Sequence, residues 1–185
     1  MNLEKLLKQY QAGKRNFQRI DLARVILKKT DLSQIDFSQA ILTEADFTES
    51  NLSGAVFERA KLDLSNLSQA QLQKADLKLS SMESTLLYKA NLARAQLQKA
   101  NLRQAILQRA FLRQANLSQA ILIEANLQHA NLIDADLTGV DLTGANLEGA
   151  FLQGANLRSA CLDNVDLRFA ILTEAIMPDG NIIKE

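Results

Sequence analysis

The strongest constraint on this chain is a five-residue period that runs almost its whole length. It is clearest in Ala90-Asn91-Leu92, Ala100-Asn101-Leu102, Ala115-Asn116-Leu117, Ala125-Asn126-Leu127 and Ala145-Asn146-Leu147. Each repeat is a small residue, an Asn or Asp, a Leu, and two variable residues. Taking the Leu as the centre, centres fall at every fifth residue from Phe17 to Met177. All thirty-three are Leu, Phe or Met, and no insertion breaks the phase.

A step of five does not suit an α-helix. At about 100° per residue, successive centres would move about 140° round the cylinder and form no apolar stripe. An extended segment does better, because residues two apart share a face. The small residue and the Leu then point inward and the Asn or Asp between them points out. The other two residues must turn a corner. Repeating a corner of constant hand coils the chain into a solenoid whose turns hydrogen-bond to one another about 4.8 Å apart. Burial of each Leu is worth roughly 1.5–3 kcal/mol, so the array supplies an ample core. Two spacings favour four sides per coil. Phe17, Phe37 and Phe57 recur every twenty residues, and Gly139, Gly144, Gly149 and Gly154 occupy the same bend position in four consecutive repeats.

On these residues the chain resembles the pentapeptide-repeat family, whose pattern is A(N/D)LXX, from about Arg15 to Met177. The resemblance implies an all-β solenoid, a right-handed quadrilateral β-helix of about eight coils and roughly 40 Å in length. It also implies that an enzymatic activity is not expected. Most members of the family have no known activity, and a minority imitate B-form DNA and bind DNA gyrase.

The two ends depart from the period. Leu3, Leu6, Leu7 and Tyr10 sit at i, i+3, i+4 and i+7, one face of a helix. Asn2 is a candidate N-cap and Gly13 a natural stop. Solenoid ends expose core and strand edges, so this helix reads as a lid on the first coil, with a partner-binding helix as the alternative. In the first coil Ile20, Val25, Thr30 and Ile35 replace Ala, and larger residues there would pack up into the lid. At the other end Pro178 is expected to remove a ladder donor and stop the array, and Ile182 and Ile183 to fold back over the last coil. The expected organisation is therefore a capping segment at 1–14, repeats at 15–177 and a closing tail at 178–185. The loosest stretch, Leu79 to Tyr88, is either a local bulge or a binding patch.

Lys plus Arg and Asp plus Glu both number 21, so the net charge is zero, and there is no global pull towards nucleic acid or an anionic membrane. The charges are nevertheless banded. Residues 1–29 carry eight basic and two acidic side chains, 30–72 two and seven, 73–113 eight and two, and 114–180 two and nine. A DNA mimic needs a broadly acidic surface, and the basic band from Lys74 to Arg113 interrupts it. Cys161 is the single cysteine, which fits a reducing cytoplasm, and Met1 leads into no long apolar run.

No residues read as catalytic, cofactor-binding or metal-binding. His129 is a lone histidine at a bend, Cys161 lacks an obvious activating base, and the many Asp residues come from the repeat itself. No Gly-rich strand-to-helix loop suggests phosphate binding. The candidate site is an interaction patch of Leu86, Tyr88, Lys89, Arg94, Ile106, Arg109, Phe111 and Arg113, an apolar surface rimmed by cations. The bland alternative is that the aliphatic residues only stabilise neighbouring coils. The expected function is a non-enzymatic scaffold or regulator that binds another protein, as a monomer or an end-to-end dimer. The alternative is a DNA-mimicking or nucleic-acid-binding regulator.

Overall fold

Every corner of the coil is made by the two residues after a centre, and in all but the last, Pro178–Asp179, the second of them is left-handed. From Arg19 to Glu174 these residues have φ between 52° and 67°. The residue after the corner donates its N–H to the carbonyl of the centre, as from Ala40 to Phe37 at 3.0 Å. A closed four-residue turn with positive φ only at its third residue is a type II turn. Twenty-seven of these third residues are not glycine. Each costs about 1 kcal/mol or more of backbone strain, against roughly 1.5–3 kcal/mol for the buried Leu beside it.

The structure, a computed structural model, describes residues 3–184. Its coil is four-sided. Each outward Asn or Asp position forms a parallel bridge to the residue twenty positions later, from Asn16–Asp36 without interruption to Asn156–Ile176. We number the faces by their first bridging residues: first Asn16, second Asp21, third Ile26 and fourth Asp31. Each edge is extended over only a few residues, so the sheets run along the rod rather than along the chain. Leu122 donates to the Asp141 carbonyl at 2.7 Å and Glu124 to that of Thr143 at 2.9 Å, and the other edges repeat this register.

The outward Asn or Asp has a local task. Its Oδ1 accepts the N–H two residues on, as from Asn116 to Ser118 at 2.9 Å and from Asp141 to Thr143 at 3.1 Å. This side-chain turn satisfies the first corner N–H, which the coil-to-coil ladder does not use. Ser81 is too short for the role. Asp63, one coil earlier, accepts the Glu83 N–H instead at 2.9 Å.

Inside, the centres fill the axis. Leu32, Leu42, Leu72, Leu92, Leu112 and Leu132 are fully buried, and the small residues beside them are closed off with them. The stacked rings expected from the twenty-residue spacing are present: Phe17–Phe37 at 6.3 Å and Phe37–Phe57 at 5.9 Å. Where Ser80 and Thr85 replace Ala, the hydroxyl turns to a backbone carbonyl, Ser80 to Leu77 at 2.7 Å and Thr85 to Leu62 at 2.8 Å, whereas the buried Ser65 hydroxyl finds no partner among the described residues. The loose stretch at Leu79–Tyr88 contains no bulge. Met82 is buried and the bridges Ser81–Asn101 and Leu86–Ile106 keep register.

The N-terminal end is capped by helix α1, Leu3–Gln11. Leu6 and Tyr10 join the same core as Phe17 and Leu22, and Ile20 and Val25 are partly buried against it. The Tyr10 hydroxyl donates to the Ser33 carbonyl at 2.8 Å. Gly13, at φ 93°, ends the helix. Its N–H reaches the Tyr10 carbonyl at 2.9 Å and that of Lys14 the Gln9 carbonyl at 3.0 Å, a Schellman arrangement. The proposed N-cap, Asn2, lies outside the described residues.

The C-terminal end differs from expectation in two respects. Pro178 occupies the first corner position, whose N–H has no part in the ladder, so no ladder donor is lost. Its carbonyl still accepts the Ser159 N–H at 3.0 Å. Ile182 and Ile183 do fold back, but they pair antiparallel beside the last repeat, Ile182 with Ile176 and the Ile183 N–H with the Ala175 carbonyl at 3.0 Å. They do not roof the axis, and Leu162, Leu167, Leu172 and Met177 stay only partly buried.

Candidate functional site

With twenty residues per coil, the candidate patch resolves into adjoining strips of one surface. Leu86 and Ile106 are bridged neighbours on the third face. Leu86 is exposed and Ile106 half-buried. Tyr88, Lys89 and Arg109 stand at the corner between the third and fourth faces. Phe111 lies on the fourth face itself, 50% exposed. Arg94 and Arg113 stand at the next corner, between the fourth face and the first. All eight residues therefore lie in two consecutive coils and wrap from the third face, across the fourth, to the edge of the first.

The corner geometry aims these cations. The left-handed residue at each corner points its side chain away from the axis, so Lys89, Arg94 and Arg109, at φ 54°, 60° and 57°, are exposed. The Lys89 ammonium sits 5.2 Å from the centre of the Tyr88 ring. The Arg94 guanidinium donates to Gln114 Oε1, one coil below, at 3.0 Å. Arg113 approaches Asp134 at 3.7 Å, at the lower margin of the patch.

Two shallow grooves flank the fourth face. Tyr88, Gln108, Arg109, Gln128 and His129 line one of about 250 Å³. The other, about 400 Å³, is lined by Gln73, Lys74, Ala93, Arg94, Arg113 and Gln114. Its cause is local. Ala93 stands where Gln73 and Arg113 stand in the coils above and below, and the missing side chain leaves a slot between them. Lys74 belongs to this groove; from the sequence it falls in the basic band but not in the interaction patch. Written in rows of twenty, the sequence places Lys74 directly above Arg94, which is the signal that identifies it. The same arrangement puts Phe111, Phe151 and Ile171 in one column of the fourth face, all exposed.

His129 is exposed and folds over Gly149. The Cys161 thiol is 3.3 Å from the Thr143 hydroxyl, which itself donates to Asp141, the bridge neighbour of Cys161. Among the described residues no group of His, Cys, Asp and Glu is placed to hold a metal ion, and no helix is long and apolar enough to cross a membrane.

Comparison with known proteins agrees with this architecture. The model of the pentapeptide repeats matches in eight copies, over residues 15–43, 40–78, 85–123, 120–158 and 152–182. HetL, a pentapeptide-repeat protein involved in heterocyst differentiation regulation in the cyanobacterium Nostoc sp. strain PCC 7120, is similar at 33% identity. The match covers 99% of this chain and 100% of HetL, with a TM-score of 0.63. QnrB1, a plasmid-mediated fluoroquinolone resistance protein, is similar in fold at 19% identity. In its trypsin-treated form the match covers 84% of this chain and 78% of QnrB1, with a TM-score of 0.78. No curated protein matches the chain. The repeats, the four-sided coil and these likenesses lead to one conclusion: the fold is the right-handed quadrilateral β-helix, and the chain belongs to the pentapeptide-repeat family.

Proposed function

We propose that this rod is a non-enzymatic scaffold or regulator that acts by binding another protein. The observation that carries the reading is the surface of coils four and five. Cations at two corners frame the exposed Phe111, and Leu86 and Ile106 adjoin them on the third face. A leucine-filled axis offers no interior pocket for a substrate, and the two mid-rod grooves are shallow and open. The likeness to HetL, a protein involved in regulation, supports a regulatory rather than a catalytic role. The single unpaired thiol of Cys161 fits a cytoplasmic setting, and we take the working form to be a monomer.

Mimicry of DNA fits the surface less well, because a basic stretch divides the two acidic ones. Affinity capture from the native cell with the full chain, read by mass spectrometry, tests the scaffold reading. A protein held by the wild-type chain and released by Lys89→Glu/Arg109→Glu supports it. Inhibition of gyrase supercoiling by the purified protein would favour the mimic instead.

A further inference from the structure

The basic surface has a definite length. Across coils three to five, the fourth face and its two corners comprise residues 68–74, 88–94 and 108–114. They contain Lys74, Lys89, Arg94, Arg109 and Arg113 and no carboxylate. At about 4.8 Å per coil the strip is roughly 15 Å tall. Glu49 stands one coil above it at the third–fourth corner, and Asp134 and Glu148 stand below it at the two corners.

Elsewhere on the rod several cations find carboxylates of their own chain, although Lys61, Lys99 and Arg103 have none within 4 Å among the described residues. Arg24 pairs with Glu44 at 3.0 Å, Lys29 with Glu49 at 3.5 Å and Lys78 with Asp76 at 3.1 Å. In the strip only Arg113 reaches one, Asp134, at its lower edge. Lys74, Lys89, Arg94 and Arg109 have no carboxylate within 4 Å among the described residues. Like charges held close on a rigid wall repel one another, and an anionic partner relieves that repulsion. Between the two columns of cations lie Phe111, half in solvent, and the slot over Ala93.

We infer that this strip binds a short acidic segment of a partner protein, one with several carboxylates within roughly 15 Å and an apolar side chain among them that covers Phe111. The inference rests on the scaffold reading and specifies its partner. Length decides against nucleic acid. A duplex carries a charge about every 1.7 Å of its axis, so a duplex laid along the rod and longer than the strip runs onto Glu49 at one end or Asp134 and Glu148 at the other. A protein segment is able to end its acidic cluster where the strip ends. Complementary potentials of this kind set specificity and association rate more than bulk affinity.

The test uses the full chain and a fluorescein-labelled pentapeptide, two Glu residues on each side of one Phe and about 16 Å when extended, read by fluorescence anisotropy at low salt. Arg94→Glu/Arg109→Glu is compared with Lys99→Glu/Arg158→Glu, an equal charge change at exposed positions on the first–second corner. Thermal melting confirms that both variants are folded. The expected result is binding that weakens about tenfold or more in the first variant and less than about twofold in the control. It is also lost when the Glu residues are replaced by Gln. No binding to the wild-type chain, equal losses in both variants, or tighter binding of a single-stranded oligothymidylate than of the peptide would overturn the inference. A native partner captured equally well by wild type and Arg94→Glu/Arg109→Glu would overturn this surface while leaving the scaffold reading intact.

Discussion

Gly149 lies one coil beneath His129, and the imidazole fills the space its side chain would occupy: a Cβ on Gly149 would stand 2.5 Å from His129 Nδ1. Gly139 has the same positive φ, 64°, but a Cβ there would meet only Gln119 Cγ at ordinary contact, 3.7 Å. Gly139→Ala is therefore expected to cost only the left-handed strain, about 1–3 kcal/mol. Gly149→Ala should cost more, because the ring must also move. In a His129→Ala background the two glycine substitutions should become equivalent. Denaturant unfolding of the four variants measures that coupling, and an unchanged difference would refute the packing account.

The inward and outward positions predict opposite tolerance. Leu107→Lys places an unpaired charge in the closed column, where Leu107 is 1% exposed, and the middle coils should lose their cooperative melting transition. Asn116→Lys keeps the charge in solvent and loses only the acceptor for Ser118, about 1 kcal/mol. Thermal melting followed by circular dichroism distinguishes them. Similar effects would contradict the assignment of faces.

Proline should be accepted at other first-corner positions. Ile123 follows an apolar outward residue, Ile121, so no side chain caps its N–H, and its carbonyl accepts the Gln104 N–H at 2.9 Å, as Pro178 does for Ser159. Pro is favoured at the second residue of a type II turn. Ile123→Pro should be neutral or stabilise by up to about 1 kcal/mol. Thr143→Pro, which discards the hydrogen bonds to Asp141, should gain less. A lower melting temperature for Ile123→Pro than for Thr143→Pro would show that the N–H has another role.

Asp46 links stability to pH. Burial works against its charge, but hydrogen bonds from the Thr48 hydroxyl, Lys28 and the Thr48 N–H outweigh it and hold its pKa below the ordinary aspartate value. Lys28 lies 2.9 Å away. A lowered pKa stabilises the fold at pH values above the unfolded-state pKa, about 3.9, and this contribution disappears as pH falls through the folded value. Asp46→Asn keeps the acceptor for Thr48 but not the charge. It should melt below wild type at neutral pH, by up to about 1 kcal/mol for so exposed a pair. The gap should close on acidification below about pH 4. A gap that persists into strong acid would assign the effect to packing.

Much of the fold was legible because the repeat is local. The small–polar–large pattern defines in, out and corner within five residues, and Phe17, Phe37 and Phe57 report the number of sides. The cap at Leu3–Gln11 was readable from its helical spacing. What misled was the meaning of single residues. Pro178 reads as a lost ladder donor because Pro usually is one, whereas this corner N–H never enters the ladder. The loose types at Leu79–Tyr88 suggest a bulge, yet Met82 fills the column as a Leu would, and Asp63 supplies the acceptor that Ser81 is too short to provide.

By itself the sequence determined the winding of the chain, since a period of five with an inward Leu has no helical solution and only a bent, extended one. Only the tertiary structure decided how residues twenty apart touch: the His129 ring folded over Gly149, the slot left over Ala93 between Gln73 and Arg113, the Arg94 guanidinium bonded to Gln114. Those contacts depend on the register between coils, which is set by backbone hydrogen bonds shared by every repeat. No single repeat carries the information, so the surface emerges when the coils stack.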